Sequence, residues 1–373
     1  MKDETGNKLK GLMDKAVAEK ELAGGCLLVR SHGEECCYLE AGMADVEAGK
    51  PIERDQIYRL YSMSKPVTGA AAMKLFEDGV LDLGQPVSAY LPSFQDSLVE
   101  QDGRLVKADR QIQVQDLLNM TSGLVYNGEA GLAGRHADEV FGELMDRLQT
   151  DHPMTTRELA VRLGQGPLLF QPGSYWKYGS SADVLGAVIE AAADMPFGEY
   201  LKKSFFEPLG MKDTGFFVPE EKRERVVTAY RADGKGGLEP YRENHLGIFN
   251  AMDRRPAFES GGAGLVSTVD DYARFAQMLL NGGELDGVRV LKPRTVDYMT
   301  SGTLNGTQRE AFVRNFPTMP GFDYGNLVRV MKEPGKSCTL NNVGEYGWDG
   351  WLGCYFANDP AADMTILFMM QKT

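Results

Sequence analysis

Apolar and polar positions follow three regimes along the chain. Between Asn7 and Glu21, the residues Leu9, Leu12, Met13, Ala16 and Val17 share one side of a 3.6-residue period, which predicts an amphipathic helix closed by Gly24-Gly25. The runs CLLVR and ECCYLEAG flank Ser31-His32-Gly33 and predict a hairpin. After RLYSMSKPVTG a long apolar helical pattern continues through AAAMKLFEDG and stops at Gly79. From there to about residue 259 the chain is loop-rich, with little strand-like alternation. Short helical patterns recur there in VQDLLNMTSG, TRELAVRLGQG, ADVLGAVIEAAA and FGEYLKKSFFEPLG. In SGGAGLVSTVDDYARFAQMLLNGG, Ser267 with Asp270 three residues on resembles a capping box, opening a helix that ends at Asn281-Gly282. Strand patterns close the chain: FDYGNLVRV, EYGWDGWLGCYF and DMTILFMMQ, the last two separated by a turn at Asn358-Asp359-Pro360.

Strands at both ends with helices between them predict an α+β fold. Its antiparallel sheet is built from both chain ends, over residues 1–78 and 260–373, and is flanked by helices. Residues 79–259 form a mostly helical insertion. A length of 373 residues agrees, being too great for one small core. Hydrophobic content of 43% and charged content of 25% are those of a globular protein that dissolves in water. The net charge of −13 argues against nucleic acid or an anionic membrane as partner. The opening MKDETGNKLKGLMDKAVAEKE has no uninterrupted apolar core of the signal-peptide kind, and no apolar run is long enough to span a bilayer. Five cysteines without a C-x-x-C spacing favour reduced thiols and a cytoplasmic location. Cys36 and Cys37, adjacent on a strand, point to opposite faces and read as buried or half-buried thiols rather than a redox pair.

Candidate chemistry narrows by elimination. His32, His136, His152 and His245 are isolated, and no H-E-x-x-H or paired Cys/His spacing occurs, so neither a metal nor another cofactor is expected. No G-x-S-x-G elbow is present. Gly262-Ala263-Gly264 lacks the third glycine of a dinucleotide loop and reads as a tight turn. What remains is Ser62-Met63-Ser64-Lys65 at a helix start. Residues three apart share a helical face, so Lys65 lies beside the Ser62 hydroxyl. The unpaired N–H groups of the first turn stabilise a developing alkoxide and disfavour an ammonium beside it. Pro66 is tolerated in that turn and marks the start. Taken alone, S-x-x-K occurs by chance in many proteins and more often describes a serine-capped helix with a snorkelling lysine.

The flanking segments resemble the serine β-lactamase-like superfamily, in particular class C β-lactamases, family VIII carboxylesterases and penicillin-binding-protein-like enzymes. The likeness runs from about residue 20 to the final strand pattern. YRLYSMSKPVTGAAAMKLFEDGVLDLGQPVSAYLP is similar to the family's nucleophile helix, and LLNMTSGL to the loop after it. QPGSYWKYGSSADVLGAVIE carries a second box as Tyr178-Gly179-Ser180, and GEYGWDGWLGCYF a third as Trp348-Asp349-Gly350. The resemblance implies a β-lactamase/transpeptidase-like fold with its active site between sheet and insertion. It implies Ser62 as acylated nucleophile, Lys65 and Tyr178 as the base pair exchanging a proton, and the backbone N–H groups of Ser62 and Trp351 as oxyanion hole. Ser180, Trp348, Asp349 and Gly350 would contact substrate.

Departures from the family pattern sharpen the expectation. Ser180 stands where many relatives carry Asn; its hydroxyl could still reach Lys65 or a substrate amide. Trp348 replaces the lysine that begins the third box in β-lactamases and resembles the esterase branch. Asp349 replaces a small residue, pointing either along the strand or into the pocket. The chain stops soon after FMMQKT, where relatives continue into a helix, so one sheet face is expected to be thinly covered. The expected function is a serine hydrolase acting through an acyl-enzyme on small to medium esters. The alternatives are a D-amino-acid peptidase or amidase, a weak β-lactamase, an acyltransferase, or a silent ligand-binding relative. The oligomeric state is left open.

Overall fold

The structure is a computed structural model that describes residues 3–373. Residues 1–2, which open the expected first sheet segment and the stretch tested for a signal peptide, lie outside the described residues.

An eight-stranded antiparallel sheet forms the base. Its strands come from two stretches of chain: β1 (Gly24–Ser31), β2 (Glu34–Asp45) and β3 (Lys50–Pro51), then β12 (Phe322–Gly325), β13 (Val328–Met331), β14 (Tyr346–Asp349), β15 (Tyr355–Asp359) and β16 (Met364–Met370). The order is β12-β13-β14-β15-β16-β1-β2-β3, so the last strand pairs with the first. In that pairing Leu27 faces Phe368 and Leu28 faces Leu367. Along β16 every second side chain is buried, which is the period-2 signature of a sheet with one covered face. The remaining strands form small ribbons: β4 (Tyr58–Arg59) with β9 (Val266–Ser267), β5 (Leu98–Gln101) with β6 (Arg104–Lys107), β7 (Tyr230–Ala232) with β8 (Leu238–Pro240), and β10 (Glu284–Leu285) with β11 (Val288–Arg289).

The helices cover the sheet and fill the segment between its two halves. Helix α1 (Asp3–Ala18) packs on β2 through Met13, with Leu9, Ala16 and Val17 partly buried; Leu12, expected on the same face, is exposed. Helix α2 (Ser64–Glu77) is buried on every side from Ser64 to Met73, Lys65 included, and contacts β13 and β14. Between the sheet halves come α3 (Val114–Leu118), α4 (Gly131–Arg147), α5 (Thr156–Gly164), α6 (Ser181–Ala193) and α7 (Phe197–Leu201). Helix α6 packs on α2, α3 and α5. Three more follow: α8 (Val269–Leu280), which packs on β15 and β16, α9 (Pro293–Met299) and α10 (Gly306–Asn315).

Several local expectations shift. The cap of α8 is Thr268, whose hydroxyl accepts the Asp271 N–H, rather than Ser267. Asp270 instead pairs with Arg54. FDYGNLVRV is not one strand but the hairpin β12–β13, turned at Asn326 and Leu327, both in the left-handed region (φ 51° and 65°). Two ribbons, β5–β6 and β7–β8, lie in the stretch where little strand was expected.

Candidate active site

Ser62 sits on a single 3₁₀ turn, Tyr61–Met63, that feeds directly into α2. Tyr61 has φ 44°, a left-handed conformation that costs a bulky residue on the order of 1–3 kcal/mol. Tertiary contacts hold it there. The Tyr61 ring is buried and meets Trp351 edge-on at 5.0 Å, while Leu60 N–H donates to Leu265 O at 2.9 Å. The Met63 carbonyl accepts the Tyr272 hydroxyl at 2.9 Å. The turn therefore lifts Ser62 toward the cleft and turns Ser64 inward. Ser64 is fully buried, and its Oγ accepts Leu265 N–H at 3.0 Å.

Two side chains converge on Ser62 Oγ. Lys65 Nζ donates to it from 3.1 Å, and Tyr178 Oη from 2.7 Å. Lys65 is fully buried; its other donors go to Gly262 O at 2.8 Å and Tyr126 Oη at 3.5 Å, and its ammonium lies 4.6 Å from the centre of the Tyr178 ring. Trp348 Nε1 donates to Tyr178 Oη at 3.2 Å and fixes that phenol from the far side.

Behind this group lies a layer that sequence reasoning missed. Asp183 accepts Tyr126 Oη at 3.1 Å, Ser260 Oγ at 2.5 Å and Gly262 N–H at 3.0 Å. Burial and the Asp183 carboxylate hold the Tyr126 phenol far above the usual tyrosine range, so Tyr126 stays a neutral link between Lys65 and Asp183. Gly262 cannot be larger: a Cβ there would lie 2.6 Å from Tyr126 Oη and 2.8 Å from Asp183 Oδ2. The Gly262-Ala263-Gly264 segment is thus a turn, as expected, and it also supplies an acceptor for Lys65. Asp183 was legible only as the residue after Ala182 in the second-box helix, and Tyr126 lies two residues past the loop LLNMTSGL.

Above Ser62 opens a cleft of about 260 Å3. Its walls are mostly aromatic: Tyr61, Tyr126, Tyr178, Phe316, Trp348 and Trp351, with His245, Leu246 and Asp349 completing them. Trp351, 41% exposed, stacks on His245 with ring centres 4.3 Å apart. Burial pushes the His245 imidazole below its ordinary range, which keeps that wall neutral near pH 7. Asp349 does reach the cleft. Burial raises its carboxyl pKa above the ordinary range, against the opposing fields of Arg329 and Lys65, and its Oδ1 is buried without a hydrogen-bond partner among the described residues.

Two expected substrate contacts stand elsewhere. Ser180 is fully buried at the start of α6 and donates to Val125 O at 3.0 Å, so its hydroxyl is spent on the backbone rather than on Lys65 or a ligand. Gly350 lies behind the wall, where a Cβ would come within 2.3 Å of Leu60 O; it lets the end of β14 close against the Ser62 turn. Among the described residues, no cluster of three His, Cys, Asp or Glu side chains could hold a metal ion.

Comparison with known proteins shows what the whole chain resembles. The family model described as Beta-lactamase matches residues 9–373. The chain is 34% identical to Protein Rv1367c of Mycobacterium tuberculosis over 342 residues, covering 89% of this chain and 81% of that protein. It is 31% identical to Esterase EstB of Burkholderia gladioli over 380 residues, covering 97% and 89%. Among solved structures, "EstCE1, a hydrolase with promiscuous acyltransferase activity" superposes with a TM-score of 0.83 at 27% identity, over 98% of this chain and 93% of that one.

Proposed function

We propose that this chain, which belongs to the beta-lactamase family and is a serine hydrolase, is a carboxylesterase acting on small to medium neutral esters. In this reading Ser62 Oγ attacks the ester carbonyl while Lys65 and Tyr178 take up its proton between them. The oxyanion forms against the backbone N–H groups of Ser62 and Trp351, both of which border the cleft. Tyr178 returns the proton to the departing alkoxide. Water then enters, gives a proton to the same pair, and releases the acid from Ser62. A cytoplasmic location belongs to the same reading. The alternative of a silent ligand-binding relative is set aside, since the family and its esterase relatives are hydrolases.

The observation that carries the ester assignment is the position of Trp348. Its one N–H is committed to Tyr178, and the next residue brings a carboxyl into the cleft, so no cation stands there to meet a substrate carboxylate. Penicillins, cephalosporins and peptide C-termini all carry that charge. Losing a charge-assisted hydrogen bond costs about 1.5–3 kcal/mol, or roughly one to two decades in kcat/KM. Short-chain p-nitrophenyl esters should therefore be turned over well and cephalosporins at least about tenfold less efficiently. A fluorophosphonate probe should label the wild type and not Ser62→Ala, with the adduct mapped to Ser62 by mass spectrometry. Equal efficiency on cephalosporins overturns the ester assignment; an adduct on Ser64 overturns the nucleophile. A second reading, acyl transfer to an alcohol, draws support from the promiscuous acyltransferase activity of EstCE1 and from the aromatic walls, which favour an organic acceptor over water.

A further inference from the structure

The turn around Leu246 borders two neighbouring cavities. On one side is the cleft above Ser62. On the other is a chamber of about 180 Å3, and both are lined by His245 and Leu246. The turn is a held conformation: Leu246 has φ 52°, and His245 and Ile248 exchange backbone hydrogen bonds across it (2.9 and 3.3 Å). The His245 ring is stacked on Trp351 besides. A strained non-glycine residue kept in place by its surroundings at the edge of a binding cleft points to a functional use of that edge.

The chamber differs in chemistry from the aromatic cleft. Phe141 and Met145 give it an apolar floor, while Asn127, Asp138 and Asn244 give it polar walls. Asp138 accepts the Gly128 N–H at 2.7 Å and makes no ion pair among the described residues. Asn244 Oδ1 accepts the Asn250 N–H, which leaves its NH2 group for a ligand. Among the described residues no Lys or Arg lines the chamber, and Asp138 would repel an anion there. An apolar floor with amide and carboxylate groups around it suits a ring that is apolar on its face and hydroxylated at its edge. Neither cavity alone reaches the roughly 300–1,000 Å3 of ordinary small-molecule sites, and they adjoin at His245 and Leu246, so a ligand lying along that edge can draw on both.

We infer that the chamber is a subsite for the alcohol part of the substrate, and that this alcohol is a sugar or comparable cyclic polyol. This rests on the carboxylesterase reading above and names its substrate class: an acylated carbohydrate, with the acyl group in the aromatic cleft and the sugar laid along the His245–Leu246 edge into the adjoining chamber. The acyl group passes to Ser62, the sugar hydroxyl leaves with the proton returned to it, and water then frees the acid.

The test compares a mono-acetylated methyl hexoside with cyclohexyl acetate, a similar ring without hydroxyls, using p-nitrophenyl acetate as reference. Two or three hydrogen bonds to hydroxyls should raise kcat/KM for the hexoside at least about tenfold over cyclohexyl acetate. Asp138→Ala and Asn127→Ala should each raise KM for the hexoside several-fold more than for p-nitrophenyl acetate, with kcat little changed. Equal kcat/KM for the two rings, or an equal loss on hexoside and p-nitrophenyl ester in the variants, overturns the inference. Absence of p-nitrophenyl acetate turnover in the wild type would instead overturn the esterase reading beneath it.

Discussion

Ser62 and Ser64 are two positions apart and have opposite surroundings. Ser62 has an amine and a phenol on its oxygen and a cleft above it; Ser64 has a backbone N–H and no solvent. Tyr178 is the more informative of the two proposed bases to remove, because Lys65 would keep its place on Gly262 and Ser62. Tyr178→Phe should lower kcat by about 10²–10⁴ in single-turnover acylation, the usual range for a lost general base. A Phe variant with near wild-type acylation would assign the proton to Lys65 alone. Asp349 supports a prediction about pH. Burial raises its folded-state pKa above the unfolded value, so the fold favours the protonated carboxyl. That contribution is complete below the ordinary carboxylate range and is lost as pH rises through the raised value. Asp349→Asn should therefore raise the melting temperature at pH 8 and leave it nearly unchanged at pH 4. A loss at pH 8 would mean that Arg329 and Lys65 more than offset the burial.

Among the elements, α2 matters most, since it carries Lys65 and is entered through the Ser62 turn. Gly69 is where it crosses the β12–β13 hairpin, and a Cβ there would lie 2.5 Å from Asn326 O. That carbonyl belongs to a turn pinned by Leu327 N–H to Leu118 O at 2.9 Å and cannot easily retreat. Alanine normally gains about 0.5–1 kcal/mol over glycine within a helix. Here overpacking of about 1–3 kcal/mol should outweigh it, so Gly69→Ala should lower stability in urea unfolding and reduce kcat by moving Lys65. Unchanged stability would show that the hairpin yields. The helix itself was legible because its apolar run is long and bounded by Pro66 and Gly79. Helix α4 was not, although Ala133, Ala137, Val140, Phe141 and Leu144 line its buried face, because Gly131, Gly134 and Gly142 weaken the local signal. The β12–β13 hairpin was read as one strand because its turn uses Asn326-Leu327, and a left-handed leucine leaves no mark in composition.

At the scale of the molecule, the sheet order makes β16 the joint between the two chain ends: it pairs with β15 on one side and β1 on the other. Deleting residues 360–373 removes that joint and leaves two unpaired inner edges in the sheet. The shortened protein should lose its cooperative thermal transition and aggregate, while a cut in the exposed Asp102-Gly103 turn between β5 and β6 should leave the transition in place. A cooperative melt in the C-terminally shortened chain would show that each half of the sheet stands alone.

The amino-acid sequence by itself determined what depends on neighbours along the chain. Helical spacing puts Lys65 within one turn of Ser62, alternation and turn residues mark the first hairpin and the last strands, and the ordered boxes indicate the superfamily. Only the tertiary structure decided which long-range partners meet. Tyr178 reaches Ser62 across 116 positions, Gly262 O reaches Lys65 across 197, and Trp348 reaches Tyr178 across 170. The tertiary structure also turned Ser180 away to Val125 and brought Tyr126 and Asp183 into the network. The physical reason is that a side chain's orientation at an element end is set by the contacts that bury it, and those come from segments far away in the chain.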